Sequence, residues 1–216
     1  MRPSSPARAL LIGVCAAFVL GATPAGAAPA QAPHRSGAAS PPSPTSGVRS
    51  LPPLADLADL AARRLLTADL VAAAKWGTDS PIDDPARERE VLVAVAREAA
   101  AVGGDPQATR AVFRDQIEAN KLVQRTLHRR WRAAPWLAPD DRPDLAEVRA
   151  EINRVNSGLV RAVADAAPLR NTALCPVTLF SAAARAHHAH DLDGLHTLAL
   201  AHGLRSVCAP VVAPGR

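Results

Sequence analysis

Apolar positions recur with a helical period along most of the chain. From Leu54 they fall at Leu57, Leu60, Ala61, Leu65, Ala68, Val71 and Ala72, so the spacing predicts a helix over Leu54–Trp76. The loop "GTDSPID" ends it. Asp84 before Pro85 reads as an N-cap with proline at the first helical position, opening a second helix that Gly103-Gly104 terminates. Asp105-Pro106 repeats that signal for a third helix, which continues to about Arg132. The stretch "AAPWLAPDDRPD" interrupts the pattern. A fourth helix is predicted over Leu145–Ala166, and after "PLRN" two shorter ones over Pro176–His190 and Leu192–His202. No repeat and no convincing strand is present in the pattern. The expected fold class is therefore all-α, a single-domain helical bundle of about six helices.

Composition sharpens this picture. The chain has 216 residues, 48% hydrophobic but only 3% aromatic, with no Tyr. Alanine carries much of the apolar content, and alanine and leucine favour helices where strands need β-branched and aromatic side chains. The formal charge is +5, yet the basic residues are dispersed and form no stripe, so no nucleic-acid partner is expected.

The N-terminus points to export. Arg2 and Arg8 precede the apolar run "ALLIGVCAAFVLGA", and Ala25–Ala27 form an A-x-A pattern. Residues 1–27 read as a secretory signal peptide, too short in its apolar core for a lasting membrane span. There is no twin-Arg pair, and Cys15 is badly placed for lipidation, so no membrane anchor is expected. Residues 28–50, "APAQAPHRSGAASPPSPTSGVRS", read as a disordered tether. The helical domain occupies 51–216, in a secreted or periplasmic protein. Two cysteines then remain, Cys175 and Cys208, an even number that in an oxidising compartment argues for a disulfide; two inert buried thiols are the alternative.

Several polar residues interrupt the apolar stripes. Arg64 and Lys75 are 11 residues apart, which is three turns plus about 20° and about 16 Å of rise, so they share a face. In the third helix, positions 113, 117, 120, 124, 127 and 131 are Phe, Ile, Asn, Gln, Leu and Trp, placing Asn120 and Gln124 mid-stripe. In the fourth, Arg149 interrupts the seam Leu145, Ile152, Leu159 and Val163, and Asn156 interrupts it with no evident role. Singly, each has an ordinary structural explanation, in snorkelling or in a satisfied amide. Together they describe a pocket with surplus positive charge and neutral amides, suited to a small dianion. The run "RAHHAHD" offers His187, His190 and Asp191 but reads as a solvated surface, and no metal is expected. Trp76, Trp131 and Trp136 read as packing anchors.

The order Arg64…Lys75-Trp76, "PIDDPARERE" and "VFRDQIEANKLVQ" resembles the all-helical chorismate mutases over roughly residues 54–210. With the downstream "PDLAEVRAEIN", the leader and the Cys175/Cys208 pair, it resembles their secreted subclass. That resemblance implies a Claisen rearrangement of chorismate to prephenate without any cofactor, a complete site within each chain, a disulfide stapling the C-terminal region, and a homodimer. It implies that Arg64 and Arg149 grip the carboxylates, that Lys75 serves a carboxylate and the ether oxygen, and that Gln124 donates to that oxygen. Arg87 would frame the pocket, Glu88 would accept from the ring hydroxyl, and Asn120 would stand where members carry a small polar residue near a carboxylate. Asp84 matches an acid at the pocket edge of some members, though capping alone explains it. Val91 departs from the pattern, because some members are polar there. The competing readings are a non-catalytic exported binding protein for a small dicarboxylate, and an interaction protein whose polar stripes are packing seams.

Overall fold

The structure is a computed structural model that describes residues 53–208, so the expected signal peptide and tether lie outside the described residues. Its α-helices are α1 (Pro53–Lys75), α2 (Pro85–Ala101), α3 (Pro106–Ala133), α4 (Leu145–Asp165), α5 (Ala167–Arg170), α6 (Cys175–Ala189) and α7 (Gly194–Gly203). Among the described residues there is no strand, as the alanine-rich composition dictates. A 3-10 turn, Pro135–Leu137, follows α3.

The punctuation acts as the residue chemistry demands. Asp84 accepts from the Arg87 backbone N–H, Asp105 from those of Gln107 and Ala108, and Asp144 from those of Ala146 and Glu147. Each aspartate satisfies donors that the first helical turn leaves unpaired. Gly103 closes α2 at φ +75°, a backbone conformation that costs a glycine little. The extra element is α5, a single turn at the predicted "PLRN" break, too short to carry a period. α7 begins two residues later than the apolar pattern predicts, because Asp193 caps it by accepting from the His196 N–H.

Helix α1 is the centre of the bundle. It packs against α3, α4, α6 and α7, and 14 of its 23 residues are buried. A helix covered on nearly every side must be apolar nearly all round, and Ala55, Ala58, Ala61, Ala62 and Ala68 allow close approach of its neighbours. Leu54, Leu57, Leu65, Phe113 and Leu159 supply the bulk of the core. A smaller cluster at its far end joins Ala72 and Ala73 to Trp131, with Trp76 edge-on to Trp131 at 5.3 Å. Trp136 is no packing anchor: it lies on the 3-10 turn beyond the end of α3 and is 81% exposed.

The disulfide joins Cys175, at the start of α6, to Cys208 after α7, with 5.8 Å between their Cα atoms. Arg170 reinforces the same corner, donating from Nε to the Val207 carbonyl and from Nη2 to that of Ser206. Among the described residues no helix is long and apolar enough to cross a membrane.

Candidate active site

One cavity of roughly 680 Å³, counting its open mouth, lies between α1, α2, α3 and α4. Arg64 and Lys75 of α1 line it. So do Arg87 and Glu88 of α2, Asn120 and Gln124 of α3, and Arg149 of α4. All seven residues singled out in the sequence therefore reach one space, although the helices carrying them are far apart along the chain. Val71, Val91, Ile117, Leu145 and Ile152 form the apolar walls. The size suits a small organic ligand.

Its cations fall into two groups. Lys121, a wall residue the sequence reading passed over, has its ammonium 3.0 Å from Glu88, 3.3 Å from Asp83 and 2.5 Å from Glu118. Burial alone would lower its pKa, but the bonds to Glu118 and Glu88 win and raise it. Arg87 similarly pairs with Glu90 on the exposed side of α2 at 2.9 Å. Arg64, Lys75 and Arg149 have no ion-pair partner among the described residues.

Arg64 is 5% exposed. Its Nε donates to Asn156 Oδ1 at 2.8 Å, its Nη1 donates to the Gln116 carbonyl at 3.0 Å, and its guanidinium stands 5.8 Å from the Phe113 ring centre. Burial pulls its pKa down to about 10, so it keeps its charge at neutral pH. Lys75 donates to the Pro81 carbonyl at 2.7 Å, which the "GTDSPID" loop brings over the end of α1. Burial lowers its pKa first and the neighbouring Arg149 charge second, while Asp84, Asp83 and Glu88 oppose the shift.

The amides form a chain. Asn120 Nδ2 donates to the Arg64 carbonyl at 3.3 Å, and its Oδ1 accepts from Gln124 Nε2 at 2.8 Å. Because a backbone carbonyl only accepts, this order fixes which way both amides face. Gln124 makes one hydrogen bond through Nε2, which leaves its second N–H without an acceptor among the described residues, and its Oε1 is buried with no donor among them. Glu88 gives one carboxylate oxygen to Lys121 and retains the other. Asp84 both caps α2 and lines the cavity, so its two readings coexist.

Arg149 departs from expectation in one respect. It is itself exposed on the first two turns of α4, beside the buried Val148, at the pocket rim rather than on a buried seam. The buried face of α4 runs instead through Val148, Val155, Leu159 and Val163. Asn156, without a role in the sequence, is the partner of Arg64. The signal for Lys121 was the Glu118–Lys121 spacing on α3, whereas Asn156 and Arg64 are 92 positions apart and no local pattern links them.

Of the histidines in "RAHHAHD", His190 pairs through Nε2 with Asp59 on α1 at 2.7 Å, and His187 Nδ1 lies 2.9 Å from Thr197 Oγ1. Among the described residues no group of three or more His, Cys, Asp or Glu is arranged to hold a metal ion.

Comparison with known proteins places this pocket in context. Residues 55–125 match the family described as chorismate mutase type II, which spans the α1 cations, the start of α2 and the amide pair. The secreted chorismate mutase of Mycolicibacterium smegmatis is 37% identical over 156 residues, covering 72% of this chain and 86% of that protein. The secreted chorismate mutase of Mycobacterium tuberculosis is 32% identical over 155 residues, covering 72% and 78%. Among solved structures, chorismate mutase from Burkholderia thailandensis superposes with a TM-score of 0.69 at 38% identity, over 72% of this chain and 99% of the other.

Proposed function

This chain belongs to the chorismate mutase family, in its secreted helical branch, and on that premise we propose that its four-helix pocket rearranges chorismate to prephenate with its own side chains alone. The supporting observation is that three pocket cations, Arg64, Lys75 and Arg149, lack protein counterions while lining one cavity. For Arg64 and Lys75, which are buried, a charge without a counterion is costly, and a substrate with two carboxylates removes that cost on binding, while the exposed Arg149 adds charge at the rim.

The reaction is a concerted Claisen shift, in which a carbon–oxygen bond breaks as a carbon–carbon bond forms and no proton moves. Two effects suffice. The chain must hold the compact conformer in which the reacting carbons approach, and it must stabilise negative charge growing on the ether oxygen. Arg64, deep in the pocket, and Arg149, at its rim, hold the two carboxylates and so bend the substrate. Lys75 and the remaining N–H of Gln124 meet the ether oxygen. The free oxygen of Glu88 accepts from the ring hydroxyl, Asn120 orients Gln124 beside a carboxylate, and Arg87 closes the α2 side. The apolar walls exclude water, which strengthens each of these contacts. A cleavable leader, residues 1–27, exports the chain to the periplasm or the medium, where it acts as an unanchored homodimer with a complete site in each copy.

The test is loss of chorismate absorbance with formation of prephenate by the purified chain starting at Ala28. Turnover supports this reading. Tight dicarboxylate binding without turnover would identify a binding protein and reject it.

A further inference from the structure

Asn156 does not line the substrate cavity. It is 6% exposed, sits on α4 behind Arg64, and borders the adjoining cleft between α2 and α4. Its Oδ1 takes the Arg64 Nε–H at 2.8 Å, while the Gln116 backbone carbonyl takes Nη1–H at 3.0 Å. Two acceptors on separate helices fix the plane of the guanidinium and leave three of its N–H groups without an acceptor among the described residues, on a residue that lines the pocket. Both acceptors are neutral. The ordinary partner of a buried arginine is a carboxylate, which would offer an oxygen at the same distance together with a full negative charge.

We propose that Asn156 is a positioning residue for the mutase reaction, aiming Arg64 at a substrate carboxylate while leaving its positive charge uncompensated. The inference rests on the mutase reading of the pocket. An amide here sacrifices stability that an acid would supply, and keeps the full field of Arg64 available to the substrate. The same logic separates Arg64 from Lys121, whose charge three carboxylates already meet. Arg64 contacts substrate carboxylate in the ground and transition states alike, so weakening it acts mainly on binding.

The decisive variant is Asn156→Asp, assayed in the full mature chain alongside wild type. A carboxylate at this position keeps the bond to Nε and adds a counterion. The expected result is a melting temperature equal to or above wild type, with KM for chorismate raised on the order of tenfold and kcat nearly retained. A residue that merely satisfies a buried arginine would give the same gain in stability with KM unmoved. Asn156→Leu, similar in volume but without an acceptor, should also raise KM in the folded protein, here by letting Arg64 swing.

A KM within twofold of wild type in both folded variants, with wild type active, overturns this inference and leaves the mutase reading standing. Failure of the Asp variant to fold also overturns it, since a guanidinium gaining a counterion should not unfold its surroundings. Wild-type chain without chorismate turnover overturns the mutase reading, and this inference falls with it.

Discussion

At the scale of single residues, the pocket is governed by which charges are already answered. Lys121 and Lys75 are both pocket lysines, yet the first is met by Glu88, Asp83 and Glu118 and the second only by a carbonyl. On the proposed mechanism Gln124 is the residue on which the chemistry depends most, because an amide donates at every pH. Gln124→Ala should lower kcat about 10²-fold or more with the helical circular dichroism unchanged. In Gln124→Glu only the protonated acid donates to the ether oxygen. Its activity should therefore rise toward acid and fall as pH passes upward through that carboxyl's pKa. The wild-type pH–rate profile should stay flat between pH 5 and 8, and a steep loss there would count against Gln124 as the donor.

At the scale of elements, α7 shows how a short helix is held in register. His196 is nearly buried, with Nδ1 2.8 Å from the capping Asp193 and Nε2 3.2 Å from Asp69 of α1. The bond to Asp69 raises its pKa, burial opposes the rise and Asp193 reinforces it, carrying the value from 6.5 up to about 9. Since the folded state binds this proton more tightly, the stabilisation is complete below pH 6.5, declines above it, and is gone past about 9. Melting temperatures of wild type and His196→Gln should thus differ most near pH 6 and converge above pH 9. A gap that persists at pH 10 would assign the effect to packing. The element boundaries were mostly legible, because Asp84-Pro85, Asp105-Pro106 and Gly103 act through their nearest backbone neighbours. The start of α7 was not, since Leu192 continues the apolar pattern and only Asp193 with His196 sets the cap.

At the scale of the whole molecule, the disulfide and Arg170 close the C-terminal corner that presses α7 onto α3, the helix carrying Asn120 and Gln124. The bridge spans 33 residues. Constraining a loop of that length in the unfolded chain contributes roughly 3–4 kcal/mol on the chain-entropy account. Cys208→Ser, or reduction in solution, should lower the urea midpoint accordingly. KM should change little at temperatures where the protein remains folded, since Arg170, Cys175, Val207 and Cys208 do not line the pocket. A large rise in KM in the folded, reduced protein would instead show that the staple shapes the site.

The sequence by itself determined the all-helical class, nearly every helix start, and the set of polar residues that interrupt apolar stripes, and it argued for the disulfide that the structure then showed. These follow from short-range rules, namely caps and helical period. Only the tertiary structure decided that Arg64, Lys75 and Arg149 share a cavity, that Arg149 guards its rim, that Lys121 is neutralised, and that Asn156 stands behind Arg64. Charge compensation is a property of distance in space, and four helices meeting around α1 set distances that no spacing along the chain encodes.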